Sequence, residues 1–243
     1  MGYRIDQIKT GPADVMYEVD AVGTITTTTS STAITGTGTK FTQFSKGDVI
    51  LCGTDEIILA ADPSSDTAAV ATTNPLAHTG ATFSVMINLG LLNGGIERTV
   101  ETKSYESPTD QLGIVKETLS DRKVTYKIML AQWDADSLSI AIPESLPLIK
   151  GTSGNFVKRT SPSVGLELSG LGRRMRIIPV TGTTQTTDKT LIVEVWKAGP
   201  STDTNTIKWA KDSDRTLQVM LRGWPDPNHN NEFDSVGDRS LIS

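Results

Sequence analysis

Between Ala21 and Asn88 the chain breaks into six short apolar runs, each closed by turn residues, with starts recurring about every ten positions. The runs are Val22–Ile25, Ala33–Thr35, Asp48–Leu51, Glu56–Leu59, Ala68–Val70 and Thr82–Met86. No helical period is visible in this stretch, so it reads as a separate, small all-β module. Thr26 to Thr29, followed by Ser30, Ser31 and Thr32, has the β-branched character of an exposed strand entering a turn. Lys40 and Lys46 stand against Asp48, Asp55, Glu56, Asp62 and Asp66, two cations against five acids, which leaves the module at −3.

The flanks alternate as well. Gly95–Thr102 and Val124–Leu130 have the period of half-buried strands, with a turn expected at Ser120–Lys123. Ser104–Gly113, polar and holding Pro108, predicts a long exposed loop. Further strands are expected at Val164–Ser169, Arg174–Pro179, Thr190–Lys197 and Thr216–Gly223, and a mobile tail from Asn228 to Ser243. Trp133–Ile142 fits a strand through Leu138, Ile140 and Ile142. It equally fits a helix capped by Asp134 and stopped by Pro143, and composition alone does not choose.

A chain of 243 residues allows one large domain or two modest ones. Its 23 Lys+Arg against 28 Asp+Glu, net −5, argue against an electrostatic grip on nucleic acid. A single cysteine, Cys52, excludes an internal disulfide framework and a paired-thiolate zinc site. No apolar run reaches the ~20 residues of a membrane span, and Met1–Asp6 lacks the apolar core of a signal peptide. The expectation is a soluble chain without membrane insertion, made in a reducing compartment.

The search for chemistry returns no catalytic, metal or cofactor-binding residues, so the chain is read as no enzyme and as needing no cofactor. His78, in a Pro/Gly-rich turn, and His229, among asparagines, read as solvated loop residues. Cys52 reads as a buried inert thiol. Asp134 and Asp136 diverge on a helix, and Asp212 and Asp214 look like turn residues. Gly36-Thr37-Gly38-Thr39-Lys40 lacks the second glycine before the lysine and the following helix of a phosphate loop. Trp196 and Trp209 could stack on sugars, but large aromatics on β surfaces more often pack.

Lys9-Thr10-Gly11-Pro12-Ala13-Asp14-Val15-Met16-Tyr17 resembles the opening strand of bacteriophage tail tube proteins. The resemblance resumes at Leu89–Ile96 and runs through Thr109–Gly113, Val115–Thr118 and Ala131–Leu138. It returns at Gly170–Arg174, Trp196–Ala198 and Gly237-Asp238. It divides the chain into a body, residues 1–20 and 89–243, and an insert, 21–88, expected to face outward from a hairpin. The insert itself is similar to small Gly/Thr-rich modules of phage structural proteins, through Gly36–Phe41 and Gly47–Ile50.

The resemblance implies a mainly β fold, a tail-tube-like sandwich or barrel with one flanking helix, and it places that helix at Ala131–Leu138. It implies a structural role in the virion tail: hexameric rings of self-associated subunits, stacked into a conduit for DNA ejection. The partners would be the chain itself and other tail proteins (tape measure, tube-end, baseplate or sheath), with DNA passing through unbound. Glu106, Pro108, Asp110 and Gln111 become the candidates for ring–ring contact. The alternatives weighed are a surface adhesin or glycan-binding module, another tail part at the tube end or baseplate, and a tube protein of a contractile secretion machine.

Overall fold

The structure, a computed structural model, describes residues 12–90, 92–109, 113–131, 140, 149–150, 156–157, 167–181, 184–201, 206–210 and 213–238. Its strands are β1 (Ala13–Asp20), β2 (Thr24–Thr28), β3 (Ser31–Thr37), β4 (Val49–Cys52), β5 (Asp55–Ile58), β6 (Ala68–Val70), β7 (His78–Ala81) and β8 (Ser84–Asn88). They continue with β9 (Leu92–Thr109), β10 (Gly113–Leu130), β11 (Ile149–Lys150), β12 (Phe156–Val157), β13 (Arg173–Thr181) and β14 (Thr184–Gln185). The last four are β15 (Val193–Pro200), β16 (Thr206–Ala210), β17 (Ser213–Gly223) and β18 (Asp234–Val236). The fold is mainly β and its ladders are antiparallel.

The six apolar runs of 21–88 fall on β2, β3, β4, β5, β6 and β8. β2, β3, β6 and β7 make a four-stranded sheet of their own, in the order β6-β3-β2-β7. The other three do something periodicity does not announce. They extend the main sheet, which runs β5-β4-β8-β1-β13-β15-β17-β10-β9, with β14, β16 and β18 attached to β13, β17 and β15. β8 lies along β1 from Met16↔Asn88 to Asp20↔Ser84.

One face of this sheet turns inward. Val15 and Tyr17, Met175 and Ile177, Val124, Tyr126 and Ile128, and Leu217, Val219 and Leu221 alternate along their strands and converge in one core. The Tyr17 hydroxyl donates to the Ala198 carbonyl at 2.9 Å, which satisfies its polar end. The sheet also curls. β5 is four strands from β13, about 19 Å on a flat sheet at ~4.8 Å per strand, yet Glu56 Oε1 lies 2.7 Å from Arg176 Nη2. Beneath that bridge Met16, Val49, Met86 and Ile178 form a second, smaller apolar cluster.

Several expectations are corrected. Ser104–Gly113 is not a long loop, because β9 runs to Thr109 and β10 resumes at Gly113. Ser104, Tyr105 and Glu106 are exposed, and β9 is an edge strand, where a proline is tolerated. Ser120–Lys123 is not a turn but part of β10, with a register shift between Leu119 and Asp121 that leaves Ser120 as a bulge. Leu168–Leu171, expected to begin inside a strand, is a turn of 3-10 helix, as is Lys189–Leu191. Asn228–Asp238 is ordered rather than a mobile tail, with β18 paired to β15. Of the flanking helix expected at Ala131–Leu138 only Ala131 lies among the described residues, as a bend, and beyond that span Ile140 is helical and buried.

Candidate functional site

β10 pairs with β17 only from Val124 to Leu130. Beyond Val124 its one strand partner among the described residues is β9, so Glu101–Thr109 and Gly113–Lys123 leave the body as a two-stranded arm. Nine residues at ~3.3 Å each make it about 30 Å long. Its described side chains are wet, Tyr105 66% and Leu119 52% exposed. A lone two-stranded ribbon is marginal in water, so this arm is a segment that gains from a partner. Glu106 is exposed on it, opposite Glu117, and Pro108 stands opposite Ile114 near the tip. Asp110 and Gln111 lie outside the described residues.

The arm's root is fastened. Arg98 of β9 donates to Asp234 through Nε at 2.7 Å and Nη2 at 3.0 Å, and the Tyr126 hydroxyl of β10 donates to the same carboxylate. The Asp234 hydrogen bond raises the Arg98 pKa, while burial, followed by Asp234, raises that of Tyr126. β18 therefore holds both arm strands through one carboxylate.

Strand edges are the second notable feature. β9, β10, β17 and β16 form a four-stranded unit in that order. Among the described residues no strand pairs with the outer edge of β9 or of β16. The far end of the main sheet is guarded instead. β5 has four residues, Thr72 N donates to the Ile58 carbonyl at 2.8 Å, and Leu59 bridges Ala71.

On the curled face, Arg174 and Arg176 of β13 lie between Glu194 of β15 and Glu56 of β5. Arg174 Nη2 is 2.7 Å from Glu194 and 3.0 Å from Glu56, and Arg176 Nε is 2.6 Å from Glu194. Burial opposes ionisation of Glu56, but Arg176 and then Arg174 outweigh it and hold the carboxyl below its ordinary value. Next to this network lies an open groove of about 770 Å³, whose walls carry Glu18, Ser84, Asp55 and Asp226. Each of these is engaged: Ser84 with Glu18 at 2.6 Å, Asp55 with Leu76 N at 2.8 Å, and Asp226 with His229 and Asn228 N.

Among the described residues, five side chains singled out in the sequence have the following surroundings. His78 opens β7 rather than lying in a turn, with Nε2 3.3 Å from Asp55. His229 is not a solvated loop residue, since its ring stacks on Trp196 at 4.0 Å. That stack, with Arg174 on the ring at 5.7 Å, makes Trp196 a packed side chain rather than an open sugar platform. Cys52 is buried, and burial followed by Asp55 raises its thiol pKa. Lys40, at the end of the Gly36–Lys40 motif, pairs with Asp66 at 3.0 Å. Among the described residues no cluster of His, Cys, Asp or Glu is arranged to hold a metal ion, and no helix is long and apolar enough to cross a membrane.

Sequence reasoning misses the edges and the arm because both are facts about strand pairing. The available signal is the set of β-favouring residues Tyr105, Ile114, Val115, Thr118 and Leu119, which Pro108, Asp110 and Gly113 interrupt. No protein-family model matches the chain, and no curated protein matches it.

Proposed function

We propose that this chain is a structural subunit of a bacteriophage tail tube, which closes with copies of itself into hexameric rings that stack into a conduit for DNA. The observation that carries the reading is the four-stranded unit whose two edges have no partner among the described residues. From β9 to β16 there are three antiparallel steps, so the two edge strands run in opposite directions. Rotating a second copy about an axis along the strands brings its β16 antiparallel to β9, the stronger kind of ladder. The other end of the sheet offers less. β5 is eight steps from β9 and runs in the same direction, so that join would be parallel, on a short guarded edge.

A head-to-tail contact of this kind makes a ring where its rotation closes, and closure covers the two edges of the four-stranded unit. The arm then extends from the ring as an element free to meet the next one, with Glu106 and Pro108 on it. Ring–ring contact by the arm, the virion location and the other tail proteins as partners all rest on the resemblance.

Negative-stain electron microscopy of the purified chain over a concentration series tests the proposal. Rings with an open lumen, lengthening into tubes, are the expected result. A chain that stays monomeric at every concentration overturns it.

A further inference from the structure

Where β17 ends and the arm begins there is a hollow of about 440 Å³, within the ~300–1,000 Å³ range of small-ligand pockets. Leu119, Asp121 and Arg122 line it from β10, and Arg222, Trp224 and Phe233 line it from the body. Local structure fixes the arginine of the body. Arg222 lies in β17 between Thr125 of β10 and Gly199 of β15. Trp224, just past the strand, donates its backbone N–H to the Lys197 carbonyl at 2.8 Å. Its indole Nε1 is buried over Gly199, where a Cβ would come within 3.2 Å of it. The guanidinium carbon of Arg222 in turn lies 4.2 Å from the Trp224 ring centre, a cation–π contact. A glycine thus seats the indole, and the indole seats the guanidinium.

Charge pairing sets this arginine apart. Arg98, Arg173, Arg174 and Arg176 each reach a carboxylate. Among the described residues Arg222 and Arg122 form no ion pair, and Arg222 Nε is buried without an acceptor. The carboxylate that lines the hollow, Asp121, stands across the ladder from Lys103. A buried guanidinium N–H with no acceptor costs free energy, and an acceptor from outside the fold would offset that cost.

We propose that this hollow is a binding site for a carboxylate carried on an apolar group. A carboxylate is the planar, two-oxygen acceptor that a guanidinium fork matches. The ring beneath Arg222 already orients that fork, so little side-chain freedom remains to be lost on binding. Arg122, exposed on the arm, adds a second cation. Leu119, Trp224 and Phe233 offer apolar surface to the rest of the ligand. Asp121 opposes a doubly charged phosphate more than a singly charged carboxylate. Two sources share this chemistry, a free small acid and an Asp or Glu side chain on a segment of another protein chain. The site is built from residues of one copy and stands independently of the tube reading.

Isothermal titration of the full chain tests the site with two probes, phenylacetate and the peptide acetyl-Leu-Glu-Leu-amide. Binding is expected, and the tighter probe identifies the source: the peptide a protein segment, phenylacetate a free acid. Their neutral counterparts, phenylacetamide and the Leu-Gln-Leu peptide, are expected to bind far more weakly. Arg222→Gln should lower the affinity for the acids about tenfold or more, as loss of charge-assisted hydrogen bonds implies. Arg222→Lys should lower it too, because an ammonium lacks the fork. Arg122→Gln, on the exposed arm, should weaken binding by a smaller factor, and circular dichroism checks that each variant folds. Binding of neither probe, equal binding of the neutral counterparts, or an affinity unchanged in both Arg222→Gln and Arg122→Gln overturns the proposal.

Discussion

Gly36 shows what a single position demands. A Cβ there would lie 2.1 Å from Thr39 Oγ1 and 2.7 Å from the Phe41 ring, and Phe41 is wholly buried. The glycine of the phosphate-loop-like motif is thus a site where an aromatic ring packs on the backbone. Gly36→Ala is expected to cost about 1–3 kcal/mol, the usual range for overpacking, read as a lower urea midpoint with unchanged slope. Glu56 makes a different demand. Its folded pKa lies below its ordinary value of 4.5, so its contribution is complete above that value and fades as pH falls through the folded pKa. Glu56→Gln should therefore be less stable than the native chain at pH 7. The gap between the two denaturant midpoints should close as pH falls through the folded pKa; a gap that stays equal throughout the acid range would contradict the linkage.

Elements are legible in proportion to how local their causes are. The alternation of Val124, Tyr126, Ile128 and Leu130 writes β10's inner half directly into the sequence, because one side faces a core. Its outer half carries no such stripe, its residues look like turn and loop, and those from Thr118 to Arg122 are exposed. His78–Ala81 escapes for a related reason: two of its four residues are exposed and one is Gly80 in the left-handed region, which looks like turn chemistry. β18 is hidden because Asp234 and Ser235 give no apolar signal, and their pairing with Glu194 and Val195 is long-range. An arm without a core stripe should be removable. Joining Thr102 to Arg122, which stand opposite each other, through Asn-Gly is expected to preserve the thermal transition within a few degrees. On the tube reading, rings would still form in micrographs and would fail to stack.

At the scale of the whole molecule, the mainly β class is readable because rhythm and composition both report it. The curl of the sheet is not, since nothing local says that Glu56 will meet Arg176 across 120 positions. The candidate edges become visible only when pairing shows which strands stay uncovered. Hydrogen exchange offers a test at this scale. Amides of β9 and β16 should exchange quickly in dilute protein and slow together on assembly, while those of β5 change little. Protection appearing at β5 instead would move the seam to the other end of the sheet.

The position of β1 between β8 and β13 has a consequence for synthesis. β1 needs two neighbours, and the chain delivers them at very different times: β8 ends at Asn88, while β13 begins at Arg173. At 5–20 residues per second those 85 positions take roughly 4–17 s to emerge. An early strand left bare for that interval is open to pairing with other nascent chains. Residues 21–88 close one side of it almost at once through β8, so this stretch covers the first strand until the second neighbour arrives.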